Sequence, residues 1–160
     1  MILLEEIEKV AFLKPFTAVH RKKIAQAAQL QEHLAGDEIF SEGDHNPFLC
    51  IVLTGEAALD FRVSRLGTVP VLTVVPGELV GWSSLLGGGP MTATARAQTR
   101  HRLAALDAAQ ILALAEQDPR FGVEFFRGTS AALAQRLYAA RVEIPHSARG
   151  RNSIRSEAAD

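Results

Sequence analysis

Five glycine-centred turn signals, Gly36-Asp37, Glu42-Gly43-Asp44, Thr54-Gly55, Leu66-Gly67 and Pro76-Gly77, break the middle of this chain into runs of ten residues or fewer. Runs that short fall below ordinary helix length, and their content is that of strands. EIF and FLCIVLT are apolar. Glu56 to Val63 alternates, with Ala57, Leu59, Phe61 and Val63 on one side and Glu56, Asp60 and Arg62 on the other. PVLTVV, TATARA and HRLAALD continue the series. Many short strands at this spacing predict a small antiparallel, jelly-roll-like barrel or sandwich. Glycine turns such corners at positive φ without steric cost, which assigns that conformation to Gly36, Gly43, Gly55 and Gly77.

The period changes at both ends. Ile2 to Phe12 and Val19 to Leu30 have helical character, the second with Thr17 as its cap after Pro15. Asp107 with Gln110 opens a helix over Ala108 to Gln117, and Asp118 followed by Pro119 opens a longer one toward Ile144. In that last helix Phe126, Ser130, Leu133, Leu137, Ala140 and Ile144 recur every three or four positions. This seam is longer than one small barrel needs and is expected to cross its twin in a homodimer. Gly128 allows a kink within it. The fold class is α+β, mainly β, with N-terminal helices and two C-terminal helices flanking the barrel. One domain over 1–144 and a disordered tail over 145–160 are expected, because HSARGRNSIRSEAAD is polar and aperiodic.

A chain of 160 residues, 48% apolar and 22% charged, has room for one domain with a proper core. Its formal charge of −1 gives no global attraction to nucleic acid or anionic lipid. His20, Arg21, Lys22 and Lys23, and later Arg149, Arg151 and Arg155, are basic without interleaved aromatics. They read as a solvated helix face and a soluble tail, so neither nucleic acid nor membrane is expected as a partner. No run approaches the roughly 20 apolar residues of a membrane span. MILLEEIEKV lacks the features of a secretory signal, so a cytoplasmic location is expected. Cys50, inside FLCIVL, reads as a buried packing thiol.

Catalytic patterns are missing. Gly81-Trp82-Ser83-Ser84-Leu85 lacks the second glycine of a nucleophile elbow, and Gly87-Gly88-Gly89 is not a dinucleotide fingerprint. His20, His33, His45, His101 and His146 form no metal-ligating pair. A non-enzymatic protein with no metal and no cofactor is expected.

Pro76 to Ala97, PGELVGWSSLLGGGPMTATARA, resembles the phosphate-binding cassette of the cyclic nucleotide-binding domain family, whose frame is roughly G-D-x-x-G-E-L/I-x-L-L, a short loop, then R-S/T-A-x-V/A. Gly77 to Leu86 and Thr92 to Ala97 fit that frame. FLKPFTAVHRKKIAQAAQ is similar to the family's opening helix pair, and LAGDEIFSEGDHNPFLCIVLTGEAAL to its hairpin core, with Gly36, Ile39, Gly43, Asp44, Ile51, Gly55 and Ala57 in place. The resemblance covers about Phe12 to Glu143 and is to the regulatory domains of catabolite-activator and FNR-like bacterial regulators. It implies a ligand site at Gly81, Trp82, Ser83, Ser84, Met91, Thr92 and Ala93.

It also implies a difference from the family, because Trp82 stands at its ribose-binding glutamate and Met91 at its phosphate-binding arginine. A cyclic phosphate needs charge-assisted hydrogen bonds and inward-pointing amides, and Met91 donates none. The indole of Trp82 is a donor only and cannot accept from a ribose hydroxyl. Two charged hydrogen bonds lost at about 1.5–3 kcal/mol each weaken binding by about a hundred- to ten-thousandfold. What remains is the backbone amides of a short helix from Trp82 to Leu86, the hydroxyls of Ser83, Ser84, Thr92 and Thr94, and Arg96 as a displaced cation, although Arg96 itself reads as solvent-facing. Trp82 either stacks on a ligand ring or plugs the cavity; Met91 reads as filler. Ala140 and Arg141 take the approximate positions from which the family's last helix contacts a purine.

The resemblance implies a regulatory input whose ligand moves the last helix. Only sixteen residues follow Ile144, too few for a helix-turn-helix domain. The expectation is a stand-alone sensor acting through a separate effector protein. Its ligand is an unidentified small molecule other than a standard cyclic nucleotide, or none. Two alternatives stay open: a ligand-free interaction or dimerisation domain, and a cyclic nucleotide binder with compensating residues.

Overall fold

A computed structural model describes residues 4–65, 67–86 and 89–142, with side chains to residue 139. The chain forms α1 (Leu4–Glu8), a 3-10 turn at Ala11–Leu13, α2 (Ala18–Ala27), then β1 (Ala28–His33), β2 (Glu38–Phe40), β3 (Phe48–Thr54), β4 (Ala57–Val63), β5 (Gly67–Val74) and β6 (Leu79–Val80). A second 3-10 turn at Trp82–Leu85 leads to β7 (Thr94–Ala97), β8 (His101–Asp107), α3 (Ala108–Gln117) and α4 (Pro119–Val142). The strands make two four-stranded antiparallel sheets in the orders β1-β8-β3-β6 and β2-β7-β4-β5. The expected barrel is therefore a jelly-roll-like sandwich that does not close. The predicted tail over 145–160 and Ile144 lie outside the described residues. Among the described residues no helix is long and apolar enough to cross a membrane.

Two central strands are buried on both faces, which is why their sequences are continuously apolar. In β3, Leu49 and Ile51 point to the helices, while Cys50 and Val52 point between the sheets. In β8, Ala104 and Leu106 join the helical layer, and Leu103 and Ala105 the sandwich core. Burial among these side chains pushes the Cys50 thiol up to about 12, so it stays protonated and packs as a small apolar group. The helical layer centres on Phe16, Phe121 and Phe125, with ring centroids of Phe16 and Phe121 5.6 Å apart and Phe12 meeting Phe125 edge-on at 5.7 Å.

The caps read from sequence are in place. Thr17 accepts from the His20 N–H, Asp107 from Gln110 and Asp118 from Phe121. Gly36, Gly43, Gly55 and Gly77 all have positive φ. Gly55 is additionally required by space, since a Cβ there would lie 2.3 Å from the Arg100 carbonyl oxygen.

Several boundaries differ from expectation. The first helix breaks at Val10, whose extended backbone lets Ile7, Val10 and Leu13 all turn into the core. Leu30 belongs to β1 and not to α2, because Ala28 is already extended and pairs with Leu106. Phe61 and Val63 are exposed, since β7 pairs with β4 only as far as Asp60 and the hairpin projects beyond it. His20 is not on a solvated face: it is buried, and its Nε2 lies 2.9 Å from Asp118 Oδ2, joining α2 to the start of α4. That hydrogen bond, with the Phe121 N–H, holds the Asp118 carboxyl below the usual carboxylate range.

His101 is fully buried in β8 opposite His33, and neither of its ring nitrogens has a partner among the described residues. Burial chiefly, and the His33 charge next, lower its pKa from the ordinary 6.5. The folded chain therefore keeps His101 neutral to a lower pH than the unfolded chain does. Below about 6.5 the unfolded state binds more protons, so stability falls as pH drops until folded His101 titrates too. Urea unfolding midpoints between about pH 5 and 7 are expected to decline with acidity in the wild type and less steeply in His101→Gln. Equal slopes would show that another group sets the decline.

Candidate functional site

Pro76–Ala97 forms one corner of the sandwich, running from β6 through the Trp82–Leu85 turn to β7. Gly81 starts the turn in the left-handed region at φ 77°, and a Cβ there would lie 2.7 Å from the Phe48 carbonyl oxygen, so only glycine fits. The Ser84 hydroxyl donates to the Gly81 carbonyl at 2.8 Å and is buried, so it braces the turn and does not face a ligand. Ser83 Oγ lies 3.5 Å from Thr92 Oγ1, linking the two halves of the cassette, and Thr92 is itself exposed. Ala93 is buried, and Thr94 Oγ1 is occupied by the Glu42 N–H at 2.9 Å.

Met91 is held at both backbone groups: its N–H donates to Asp44 O and its carbonyl accepts from Gly43 N, each at 2.8 Å. Its side chain is 2% exposed and packs with Phe40, Val52, Leu59 and Leu103 between the sheets. Trp82 is half-buried and packs against the helical core. The space left between Phe40, Leu59, Gly81 to Ser83 and Met91 to Ala93 is a cavity of about 20 Å³, with a second of about 10 Å³ under Trp82. A site for a drug-sized ligand occupies roughly 300–1,000 Å³, whereas about 10–15 Å³ holds a single water.

The cation at this cavity is Arg136, not Arg96. Arg96 is exposed and pairs with Glu38 at 3.0 Å. Arg136 reaches in from α4, donates to the Leu79 carbonyl at 2.7 Å and lines both small cavities. Among the described residues it makes no ion pair. Burial lowers its pKa from the ordinary arginine value, and the Glu78 charge opposes that. Its position was legible in part: Phe121, Phe125, Thr129, Ala132 and Arg136 follow each other at helical spacing, but the small side chains at Thr129 and Ala132 hide that face behind the more apolar Phe126 series. Of that series, Phe126, Ser130 and Leu137 are exposed, and Leu133 is half-buried under Trp82. The side chains of Ala140 and Arg141 lie outside the described residues. Gly128 does not break α4; it makes room for Phe12, whose ring would lie 2.8 Å from a Cβ. No cluster of three or more metal-ligating side chains occurs among the described residues.

Met91 as a packing residue makes a measurable contrast with its neighbour. Met91→Ala is expected to destabilise the chain by about 2–5 kcal/mol in urea unfolding, and the exposed Thr92→Ala by less than about 0.5 kcal/mol. Similar small losses at both positions would mean that Met91 is not core.

The family model of the cyclic nucleotide-binding domain matches residues 30–118, more than half of the chain. The cAMP-dependent protein kinase regulatory subunit of Neurospora crassa is 35% identical over 100 residues, which are 62% of this chain and 25% of that protein. The chain thus spans about a quarter of the length of the curated relative it matches. A cyclic nucleotide-binding domain from Methylobacillus flagellatus superposes with a TM-score of 0.78 at 21% identity, covering 88% of this chain and 79% of that one. The catabolite activator protein of Thermus thermophilus superposes with a TM-score of 0.69 at 27% identity, covering 83% and 61%. With the sandwich, the corner at Gly81 and the closing helix α4 in place, the chain belongs to the cyclic nucleotide-binding domain family.

Proposed function

We propose that this chain is a regulatory module whose cassette does not take cyclic AMP or cyclic GMP tightly, and that it acts through a separate protein partner in the cytoplasm without catalysis of its own. One observation carries the reading: the cassette cavity is about 20 Å³, with Met91, Trp82 and Arg136 of this same chain around it. A nucleotide has no room there until those side chains leave. Met91 is the least able to leave, since its backbone is tied to the β2–β3 loop and its side chain is part of the sandwich core. Gly81, Ser83, Ser84, Thr92 and Ala93 keep the frame of a ligand site in this reading, with Trp82 as the plug. The Neurospora relative is a regulatory subunit, and regulation through a partner is the property carried over.

A second reading, a dimerisation module, is favoured by α4, which leaves Leu137 67% and Phe126 42% exposed along with Val123 and Tyr138. Light scattering at micromolar concentration is expected to give a dimer that Leu137→Asp turns into a monomer. A wild-type monomer removes this reading.

The first reading is tested by melting the full chain with millimolar cyclic AMP. A ligand at a hundred times its dissociation constant stabilises by about 2.7 kcal/mol, roughly 5–10 °C for a domain of this size. A shift below about 1 °C is expected. A shift of the full size, with one site per chain by calorimetry, would make the chain a cyclic nucleotide binder with compensating residues.

A further inference from the structure

Outside the cassette, a groove of about 410 Å³ runs between the Ala11–Leu13 turn, the Pro76–Leu79 corner and α4. Its size is within the range of small-molecule sites. Phe12, Pro15 and Pro76 give it an apolar wall. α4 contributes little bulk, because Gly128, Ala131 and Ala132 face the groove. Two polar side chains project from the end of α4, Gln135 and Arg136. Arg136 is the same residue that lines the two cassette cavities, so its side chain is the partition between groove and cassette.

The charge of that partition is answered only in part: Glu78 also lines the groove and its charge acts on Arg136, but the two make no ion pair. Arg136 is only part-exposed and spends a donor on the Leu79 carbonyl, and among the described residues it makes no ion pair. Glu78, beside it, is turned to its own loop and accepts from the Val75 N–H at 2.9 Å. A guanidinium has five N–H donors in a planar fork suited to carboxylate, sulfonate or phosphate oxygens. An apolar slot ending in one such fork selects a flat apolar body that carries one anionic group.

We infer that this groove is a binding site for a small aromatic or aliphatic organic anion, with Arg136 as the residue that receives its acidic group. Occupation draws Arg136 toward the groove and so couples a ligand outside the cassette to the position of α4. The inference rests on the cassette being closed, as proposed above, but its test does not: cyclic AMP melting addresses that reading, and the probe below addresses only the groove.

The probe is the fluorescent dye anilinonaphthalene sulfonate, an aromatic body with one sulfonate, compared with its uncharged analogue phenyl-naphthylamine on the full chain. The wild type is expected to bind the sulfonate at one saturable site. Loss of a charged hydrogen bond in Arg136→Gln weakens that by about ten- to a hundredfold. The uncharged dye is expected to bind more weakly and to be indifferent to Arg136→Gln. Ala131 is exposed, so Ala131→Trp fills the groove without disturbing the core, and it is expected to abolish sulfonate binding. If Arg136→Gln does not fold, Ala131→Trp and the uncharged dye decide. Equal binding of the two dyes, a change of less than about twofold in folded Arg136→Gln, or full binding by Ala131→Trp overturns the inference.

Discussion

The packing of α4 on the sandwich through Phe121 and Phe125 decides what the rest of the molecule can do. Both rings are fully buried, stacked 5.6 Å apart, and closed in by Phe12 and Phe16 from the N-terminal segment. Large aromatic surfaces removed from water dominate such a contact, and their edge-on geometry fixes the rotation of the helix about its axis. Once Phe125 is fixed, Arg136 is fixed as well, because eleven residues are about three turns and return to the same face. The helix N-terminus is pinned by Asp118, which caps Phe121 and receives buried His20. Registry at one end of α4 is thus transmitted to the cassette at the other.

The proposed closure of the cassette uses the same means that build the core. The sheets meet over small side chains, Ala95, Ala105 and Cys50, and Met91 fills the space that those residues leave at the corner. Methionine suits an irregular gap, being unbranched and flexible. Trp82 then covers the corner from the helical side and Leu133 of α4 covers Trp82. A protein interior is close-packed, and a cavity of about 20 Å³ among these groups is the size that core packing leaves.

Much of this architecture was legible in the sequence because the signals were local. Gly36, Gly43, Gly55 and Gly77 declared their corners, and Thr17, Asp107 and Asp118 declared their helix starts. The two-sided burial of β3 was visible in its unbroken apolar run. The misses share a cause, which is tertiary context. His20 reads as part of a basic cluster, and only the approach of Asp118, 98 residues on, makes it a buried hydrogen-bond partner. Phe61 alternates correctly, but the sequence does not say where the facing strand stops. Arg136 carried no signal of its own, since an arginine on a helix is ordinarily solvated; its neighbours on the inward face are a threonine and an alanine, which look like surface.

In the proposed reading, what this chain keeps of the family's site is its frame: the left-handed Gly81, the short turn after it and the strand that follows. What occupies the frame belongs to this chain. Trp82 is the only tryptophan in the sequence and lies against the cassette cavity, so its emission reports directly on whether a nucleotide enters. Titration of the full chain with cyclic AMP, followed by tryptophan fluorescence, is the most direct test. Emission that stays constant in intensity and wavelength into the millimolar range is the predicted result, and a saturable change at micromolar cyclic AMP would contradict the closed cassette.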